Sequence, residues 1–182
     1  MNRILLFLIF SIPVIFISRR SLLKFKSHGF YRFFAWECIL WLFASNYKCW
    51  FTDPFSIRQI ASWIVLIISA YLVIAGVFLM KKTGKAGKNR NEDTLFQFEK
   101  TTELIDTWIF KYIRHPLYSS LLFLSLGIML KNPTVELLLV CALSTVFLYL
   151  TAVSEEQECI VFFGERYREY MKRSKMFIPY II

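Results

Sequence analysis

The sequence predicts an all-α integral membrane protein with about five transmembrane helices and a cytosolic C-terminal helix packed on the hairpin of helices four and five. Of its 182 residues, 57% are hydrophobic and only 19% are charged. The apolar residues come in long uncharged runs rather than in the amphipathic patterns of soluble helices. Lys and Arg outnumber Asp and Glu, which gives a net charge of +9, and they concentrate in alternate loops, as the positive-inside rule expects of a membrane protein.

Five apolar runs predict the transmembrane helices of a single domain. The runs are residues 4–18, 30–51, 57–80, 113–130 and 133–153. The first run is interpreted as an anchor rather than a cleaved signal peptide, because no small-residue cleavage site follows it. Residues 1–80 would form three N-terminal spans. Residues 100–180 would form a hairpin of the last two spans, joined by a turn at Asn132-Pro133, and then the tail.

The distribution of positive charge predicts the topology. The first loop, the third loop and the tail are rich in Lys and Arg, whereas the second and fourth loops carry little positive charge. This alternation places the N-terminus outside and the C-terminus in the cytosol. Within the third loop, the mixed and more acidic segment 91–106 predicts a short helix at the membrane surface.

Composition and spacing argue against several common functions. The four cysteines form no C-x-x-C motif, and the only two histidines, His28 and His115, are far apart in sequence, so no metal site is expected. The glycines form no G-x-G-x-x-G motif, which argues against a soluble nucleotide-binding fold. The basic tracts lack interleaved aromatic residues, so no nucleic-acid partner is expected. No obligate protein partner is inferred.

Basic residues at the start of the fourth apolar run mark the candidate site. Arg114 and His115 precede Pro116, which the first turn of a helix tolerates because the missing N–H would have had no intrahelical partner. The helix start would offer free backbone N–H groups and the positive end of the helix dipole. Together with the guanidinium and the imidazole, this arrangement suits an anionic group or a polar cofactor.

Counting residues along the hairpin places two carboxylates beside this helix start. From the hairpin turn, His115 lies roughly 17 residues back, or about 26 Å, and Glu155 lies roughly 22 residues forward, or about 33 Å. Both helix ends therefore emerge on the same face, which brings Glu155 and Glu156 to the basic helix start. Further along, Tyr167 and Tyr170 lie three residues apart on one helical face and would form an aromatic wall.

These motifs resemble the isoprenylcysteine carboxyl methyltransferase family and the wider group that includes the phospholipid N-methyltransferases. The resemblance rests on Arg114-His115-Pro116-Leu117-Tyr118, Asn132-Pro133, Glu155-Glu156, and Phe163-Gly164 with Tyr167 and Tyr170. It covers the last part of the chain, residues 100–180, whereas the first three spans match only as generic membrane helices. It implies a methyltransferase whose methyl donor, S-adenosylmethionine, is held on the cytosolic side by the hairpin and the tail.

The resemblance also implies roles for particular residues. The implied cofactor-binding residues are Leu104, Ile105, Phe110, His115, Pro116, Leu117, Tyr118, Glu155 and Glu156. A Glu suits a ribose diol, and aromatic faces suit a sulfonium cation. The candidate catalytic residues are Arg114, which would meet the cofactor carboxylate, and Arg173, which would serve an anionic acceptor. Methyl transfer is an in-line displacement that needs no metal.

The chain departs from the family pattern at three places. Trp108 begins a Trp-Ile-Phe segment where the family commonly has Gly-x-Tyr, and Ser120 stands where a Gly is common. Thr151 stands where the prenylcysteine enzymes have an Arg that is assigned to substrate. The cofactor site therefore looks largely kept, while the prenylcysteine carboxylate site does not. An indole of Trp108 that filled the pocket would indicate a non-catalytic scaffold.

The predicted acceptor is a lipid or a lipophilic small molecule with a carboxylate, thiol or amine, which reaches the pocket from the bilayer. Three alternatives stay open. The first is a phospholipid N-methyltransferase. The second is an NADPH-dependent sterol-type reductase, whose C-terminal tail is similar, although the intact Arg-His-Pro motif argues against it. The third is a non-catalytic membrane protein that has kept the scaffold.

Overall fold

The part of the chain that the computed structural model describes, residues 2–84 and 102–181, is built from α-helices and contains no β-strand. The α-helices are α1 (Arg3–Leu22), α2 (His28–Asn46), α3 (Ile57–Thr83), α4 (Pro116–Met129), α5 (Val135–Phe163) and α6 (Glu165–Arg173). Two 3-10 turns, Tyr47–Cys49 and Trp108–Lys111, precede α3 and α4. The predicted all-α class is confirmed for these ranges. Most of the segment 91–106, for which a surface helix was expected, lies outside the described residues.

The long apolar helices confirm a helical membrane protein. Within the described ranges, α1, α3 and α5 are long and apolar enough to cross a bilayer. Helix α4 is apolar but has only 14 residues, and α2 carries Arg32 and Glu37 within its 19 residues. Three spanning helices therefore follow from length and composition, and the count of five stays a prediction.

Two helix boundaries differ from the predicted runs, and both differences shape the site. Helix α4 begins at Pro116 rather than at residue 113, because residues 112–115 pair through their backbone with a segment near the C-terminus. Helix α5 continues to Phe163 rather than ending at residue 153, because the glutamates and glutamine that follow are good helix formers. It ends at Gly164, whose φ of 62° suits glycine. The paired glutamates therefore lie on a rigid helix.

Close packing fixes α4 against α3. Ser62 and Ser69 of α3 donate hydrogen bonds to the backbone carbonyls of Gly127 and Ser120 of α4, each at 2.7 Å. A Cβ atom added to Gly127 would lie 2.8 Å from the Leu66 side chain, so glycine alone fits there without a shift. Small residues and interhelical hydrogen bonds of this kind are typical of helix packing in membranes.

A buried lysine fixes the closed end of the α4–α5 hairpin. Lys131 is fully buried; its ammonium lies 3.6 Å from the ring centroid of Trp63 and donates to Gln59 at 3.0 Å. Arg58 donates in turn to the Lys131 carbonyl at 2.6 Å. Cation–π contact and hydrogen bonding replace the water that the ammonium has lost. The turn predicted from Asn132-Pro133 is thus present, and its fixed geometry sets the register of the open end.

The start of α2 contacts α5 close to that open end. His28 is fully buried, and its Nδ1 atom lies 2.6 Å from Oε2 of Glu158. Farther along α2, Ser11 of α1 donates to Glu37 at 2.6 Å. Buried charged and polar groups are stable in such surroundings only when they are paired. These contacts therefore tie the N-terminal helices to the hairpin.

Candidate functional site

The open end of the hairpin brings two basic side chains to two carboxylates. The Nδ1 atom of His115 lies 3.5 Å from Oε2 of Glu155, and its Nε2 atom lies 3.3 Å from Oε1 of Glu156. Arg114 donates through Nε to Glu156 at 2.7 Å. The residue count along the hairpin predicts this meeting, because the rise of both helices is fixed.

The His115 imidazole lies between the two carboxylates, which favour its charged form. Its side chain is buried, and burial lowers the pKa of His115, but hydrogen bonds to Glu155 and Glu156 outweigh that effect and raise the pKa above its ordinary value. An imidazolium can donate from both ring nitrogens at once. With His115 protonated, the cluster, including Arg114, would hold two positive and two negative charges.

A C-terminal strap, residues 174–177, completes the helix start. The backbone N–H groups of Arg114 and His115 donate to the carbonyls of Lys175 and Met176 at 2.8 and 3.1 Å, and the N–H of Lys175 donates to Tyr112 at 2.9 Å. The expectation that these helix-start amides are free for a ligand is therefore wrong for Arg114 and His115. The strap carbonyls accept hydrogen bonds from these amides, because a buried backbone N–H needs a partner.

Side chains strengthen the contact between the strap and the helix start. Ser119 is fully buried and donates to the carbonyls of Phe177 at 2.7 Å and His115 at 3.0 Å. The Arg114 guanidinium donates to the carbonyl of Ser174 as well as to Glu156. Arg114 is therefore fixed by partners from α5 and from the strap.

A cleft lined by both charged and apolar side chains, called the polar cleft here because the charged cluster borders it, opens at this point. It measures about 470 Å³, counted to its open mouth, and a smaller recess of about 280 Å³ adjoins it. The predicted residues that line one or both are Leu104, Ile105, Phe110, Arg114, His115, Pro116, Leu117, Tyr118 and Glu155. The structure thus gathers most of the predicted cofactor-binding residues around one opening.

Two predicted site residues line neither the cleft nor the recess. Glu156 is buried and bound to Arg114 and His115. Arg173 is exposed and forms an ion pair with Asp106. As placed, Glu156 holds the cluster together, and Arg173 would have to exchange its partner before it could meet another anion.

Three residues that line the cleft were not predicted from the sequence. They are Met80 from the end of α3, Glu103 and Cys159. Cys159 follows Glu155 by four residues on α5, so helical periodicity could have found it. No pattern in the sequence singles out Met80, because its approach depends on how α3 packs on α4.

Aromatic rings form one wall of the cleft. Tyr167 and Tyr170 are buried with ring centroids 5.8 Å apart, and Phe163 stacks on Tyr167. The Tyr170 hydroxyl donates to the Phe110 carbonyl at 2.6 Å. Burial raises the pKa of both tyrosines, so both hydroxyls stay protonated. The faces of neutral rings attract cations.

An apolar groove lies on the other side of the segment that precedes α4. It measures about 980 Å³, counted to its open side. Its lining is Ile68, Tyr71 and Leu72 from α3, Trp108, Ile109, Tyr112 and Ile113, Phe123 from α4, and Phe177 and Pro179 from the tail. We call residues 108–113 the bridging segment, because Phe110 lines the cleft whereas Ile109 and Ile113 line the groove.

The three departures from the family pattern leave the cleft open. The Trp108 indole lines the groove and is 79% exposed, so it does not fill the cleft. Ser120 is buried; its carbonyl accepts from Ser69 of α3, and its hydroxyl donates to the Leu117 carbonyl within α4. Thr151 is fully buried in α5 and donates to the Phe147 carbonyl. None of the three is among the residues that line the cleft or the recess.

Fold and site together define a helical membrane protein with a cleft at the ends of two helices, where basic side chains meet carboxylates. The sequence model of the phospholipid methyltransferase family matches residues 57–166, more than half of the chain. The chain belongs to this family, and the resemblance to the membrane methyltransferases is confirmed.

Individual relatives are also methyltransferases. The human protein-S-isoprenylcysteine O-methyltransferase is 34% identical over 103 residues, which is 53% of this chain and 34% of that protein. Methanethiol S-methyltransferase 1 of Bradyrhizobium diazoefficiens is 29% identical over 112 residues, 60% of this chain and 38% of that protein. The chain thus matches less than half of the length of these relatives. No solved structure matches the chain.

Proposed function

We propose that the protein is an S-adenosylmethionine-dependent methyltransferase that acts at the membrane interface on a lipophilic acceptor. The observation that carries the proposal is the bridging segment, which forms a common wall of the polar cleft and the apolar groove. A methyltransferase of this kind must hold a polar donor and an apolar acceptor next to each other. Alignment of two reactants in this way accounts for much of the catalysis of such a displacement.

The residues around the cleft fit the chemistry of the cofactor. Glu155 offers a carboxylate to a ribose diol, and the rings of Phe163 and Tyr167 offer faces to a sulfonium cation or an adenine. Arg114 offers a fixed guanidinium at the edge of the cleft for a carboxylate. S-adenosylmethionine would supply an activated methyl group there. The protein residues would orient the reactants and exclude water.

The proposed acceptor is a lipid or a lipophilic small molecule with a carboxylate, thiol or amine. The groove is lined mainly by apolar and aromatic side chains, and α3, which forms one side of it, is one of the helices suited to cross a bilayer. An ethanolamine phospholipid is a specific candidate, because the family is named for phospholipid methylation. For a carboxylate acceptor, Arg173 would have to leave Asp106.

We further propose five membrane spans, with the N-terminus outside and the cleft in the cytosol. The basic first loop supports this orientation, because Ser154 of α5 donates to the Lys26 carbonyl at 3.4 Å, at the same end of the bundle as the cleft. Lys81 and Lys82, in the last turn of α3, lie at that end too, since Met80 lines the cleft. Positive charge thus collects on the side of the site.

Calorimetry of S-adenosylmethionine binding to the detergent-purified chain tests the proposal. Micromolar binding is expected, with a loss of at least tenfold in His115→Ala and in Glu155→Ala. Glu165→Ala is the matched control, because Glu165 is an exposed residue of the neighbouring helix α6 and should leave binding unchanged. Circular dichroism would check that each variant is folded.

Two further outcomes separate the alternatives. A folded wild-type protein that binds NADPH but not S-adenosylmethionine would be a reductase, and one that binds neither would be a scaffold; both results contradict the proposal. With binding established, transfer of a radiolabelled methyl group to extracted membrane lipids identifies the acceptor. Label in mono-, di- and trimethylated ethanolamine lipid would identify a phospholipid N-methyltransferase.

A further inference from the structure

We propose that Trp108 is a specificity-determining residue, whose indole contacts the hydrocarbon chain of the acceptor and selects acceptors with long chains. The inference rests on the proposed function and concerns the apolar groove, of which Trp108 forms part of the rim. The indole is 79% exposed, which leaves a large aromatic surface beside the groove without burial. An apolar ligand in the groove would cover that surface.

The backbone at Trp108 indicates that the side chain itself matters. Its φ is 54°, in the left-handed region that bulky residues rarely adopt and that glycine adopts freely. A non-glycine residue in this region is strained, and such strain persists where the surroundings or the function require it. The bend before α4 could therefore form more easily with glycine. The exposed indole buries little surface that would offset this strain. We therefore expect the indole to make its stabilising contact with a ligand in the groove.

The surroundings of the indole identify the occupant as a hydrocarbon chain. The groove also includes Ile68 and Tyr71 on α3, a helix suited to cross a bilayer. On the same helix, Ile67 and Ile74 are 65% and 68% exposed, as expected of a face that contacts lipid. The groove is thus continuous with the apolar surface of α3. A Trp at such a boundary has an apolar body for the chain and an N–H for the polar side.

The competing explanation is that Trp108 only anchors the protein at the membrane surface. An anchor would change the binding of every membrane-derived ligand alike, because it acts on the protein and not on the ligand. A contact with the chain changes only the binding of ligands long enough to reach the indole. Dependence on chain length therefore separates the two explanations.

Tyr180 offers a matched control. It has a positive φ of 67° and is 82% exposed, so Tyr180→Gly also removes an exposed aromatic ring from a left-handed backbone position. Tyr180 lies beside Tyr112, with ring centroids 6.1 Å apart, but it is not among the described residues that line the groove. Tyr180→Gly should therefore leave chain binding unchanged.

The first measurement is fluorescence quenching in the full chain in detergent. The probes are a hexadecanoic acid brominated in mid-chain and a brominated four-carbon acid, since bromine quenches tryptophan on contact. The long probe should quench a component of the wild-type emission that is absent in Trp108→Phe. The short probe should not distinguish the two proteins. Equal quenching of wild type and Trp108→Phe by the long probe would overturn the proposal.

The second measurement is the affinity of the same acids in radiolabelled form. Trp108→Gly and Trp108→Ala should each bind the long acid about tenfold more weakly, a change of about 1.4 kcal/mol, and bind the short acid as the wild type does. Trp108→Gly should unfold at no lower temperature than the wild type, because it removes the strain. Equal weakening for both acids, or in Tyr180→Gly, would overturn the proposal.

Calorimetry with S-adenosylmethionine on the same samples separates this proposal from the proposed function. The Trp108 variants should bind S-adenosylmethionine with the wild-type affinity, because the indole lies outside the cleft. Chain-length selection without any S-adenosylmethionine binding would contradict the methyltransferase while retaining the contact at Trp108. Binding of S-adenosylmethionine without chain-length selection would contradict only the role of Trp108.

Discussion

Replacing Glu155 and Glu156 one at a time by glutamine should separate ligand binding from stability. Glu155 lines the cleft, whereas Glu156 accepts from Arg114 at 2.7 Å and lies 3.3 Å from His115. The side chains of Glu156 and Arg114 are only 7% and 9% exposed, so solvent screens the pair little. The two substitutions are chemically identical and one residue apart, which makes each the control for the other.

The magnitude for Glu156→Gln follows from the two contacts that it weakens. A hydrogen bond to a charged group contributes about 1.5–3 kcal/mol. Glutamine keeps one acceptor oxygen and loses the charge, so about half of the two contributions should remain. The expected loss is about 1.5–3 kcal/mol in the free energy of unfolding, with the affinity of the folded protein for S-adenosylmethionine changed by less than about threefold.

Glu155→Gln should show the opposite pattern. Its closest basic contact is longer, 3.5 Å to His115, so it should lose less stability than Glu156→Gln does. Binding of S-adenosylmethionine should weaken at least tenfold, because the carboxylate faces the cleft. Denaturant unfolding and calorimetry on the two variants measure both quantities. Equal destabilisation by both substitutions, together with wild-type binding in Glu155→Gln, would refute this division of roles.

Three more predictions concern the cluster, the strap and the helix packing. Because the pKa of His115 is raised in the folded state, the stability that its charged form contributes should be complete below the ordinary histidine pKa and should be lost as the pH rises through the raised pKa. The difference in unfolding temperature between wild type and His115→Gln should therefore shrink from pH ~5 to ~9. A constant difference would contradict the charged imidazole. Ser119→Ala should lower stability by about 1 kcal/mol and speed amide hydrogen exchange in the strap, and unchanged exchange would contradict the strap contact. Gly127→Ala should lower stability by about 1–3 kcal/mol through overpacking. Adding Leu66→Ala in the same chain should reduce that loss. Additive losses would show that the contact with Leu66 is not the cause.

The sequence predicts the features that depend on regular helices. The apolar runs locate the helices, and the fixed rise of a helix brings His115 to Glu155 across the hairpin. The extension of α5 was open to prediction as well, since Gly164 is a typical helix end after a stretch of good helix formers. Local patterns carry enough information for each of these features.

The features that escaped prediction depend on contacts between distant segments. The strap pairs with the start of α4 through backbone atoms, and backbone hydrogen bonds leave no signature in the side chains. His28 and Glu158 are 130 residues apart, and neither belongs to a recognisable motif. The left-handed backbone at Trp108 was equally hidden, because a Trp in sequence gives no sign of a positive φ.

The C-terminal strap also sets when the site can first form during protein synthesis. Ser174 follows Arg114 by 60 residues, and ribosomes add about 5–20 residues per second, so roughly 3–12 seconds separate the two. During that interval the backbone N–H groups of Arg114 and His115 lack their partner carbonyls, and the guanidinium lacks one of its acceptors. The hairpin can therefore enter the membrane well before its cleft is complete. Newly made protein should pass through a stage that is inserted but unable to bind its ligand.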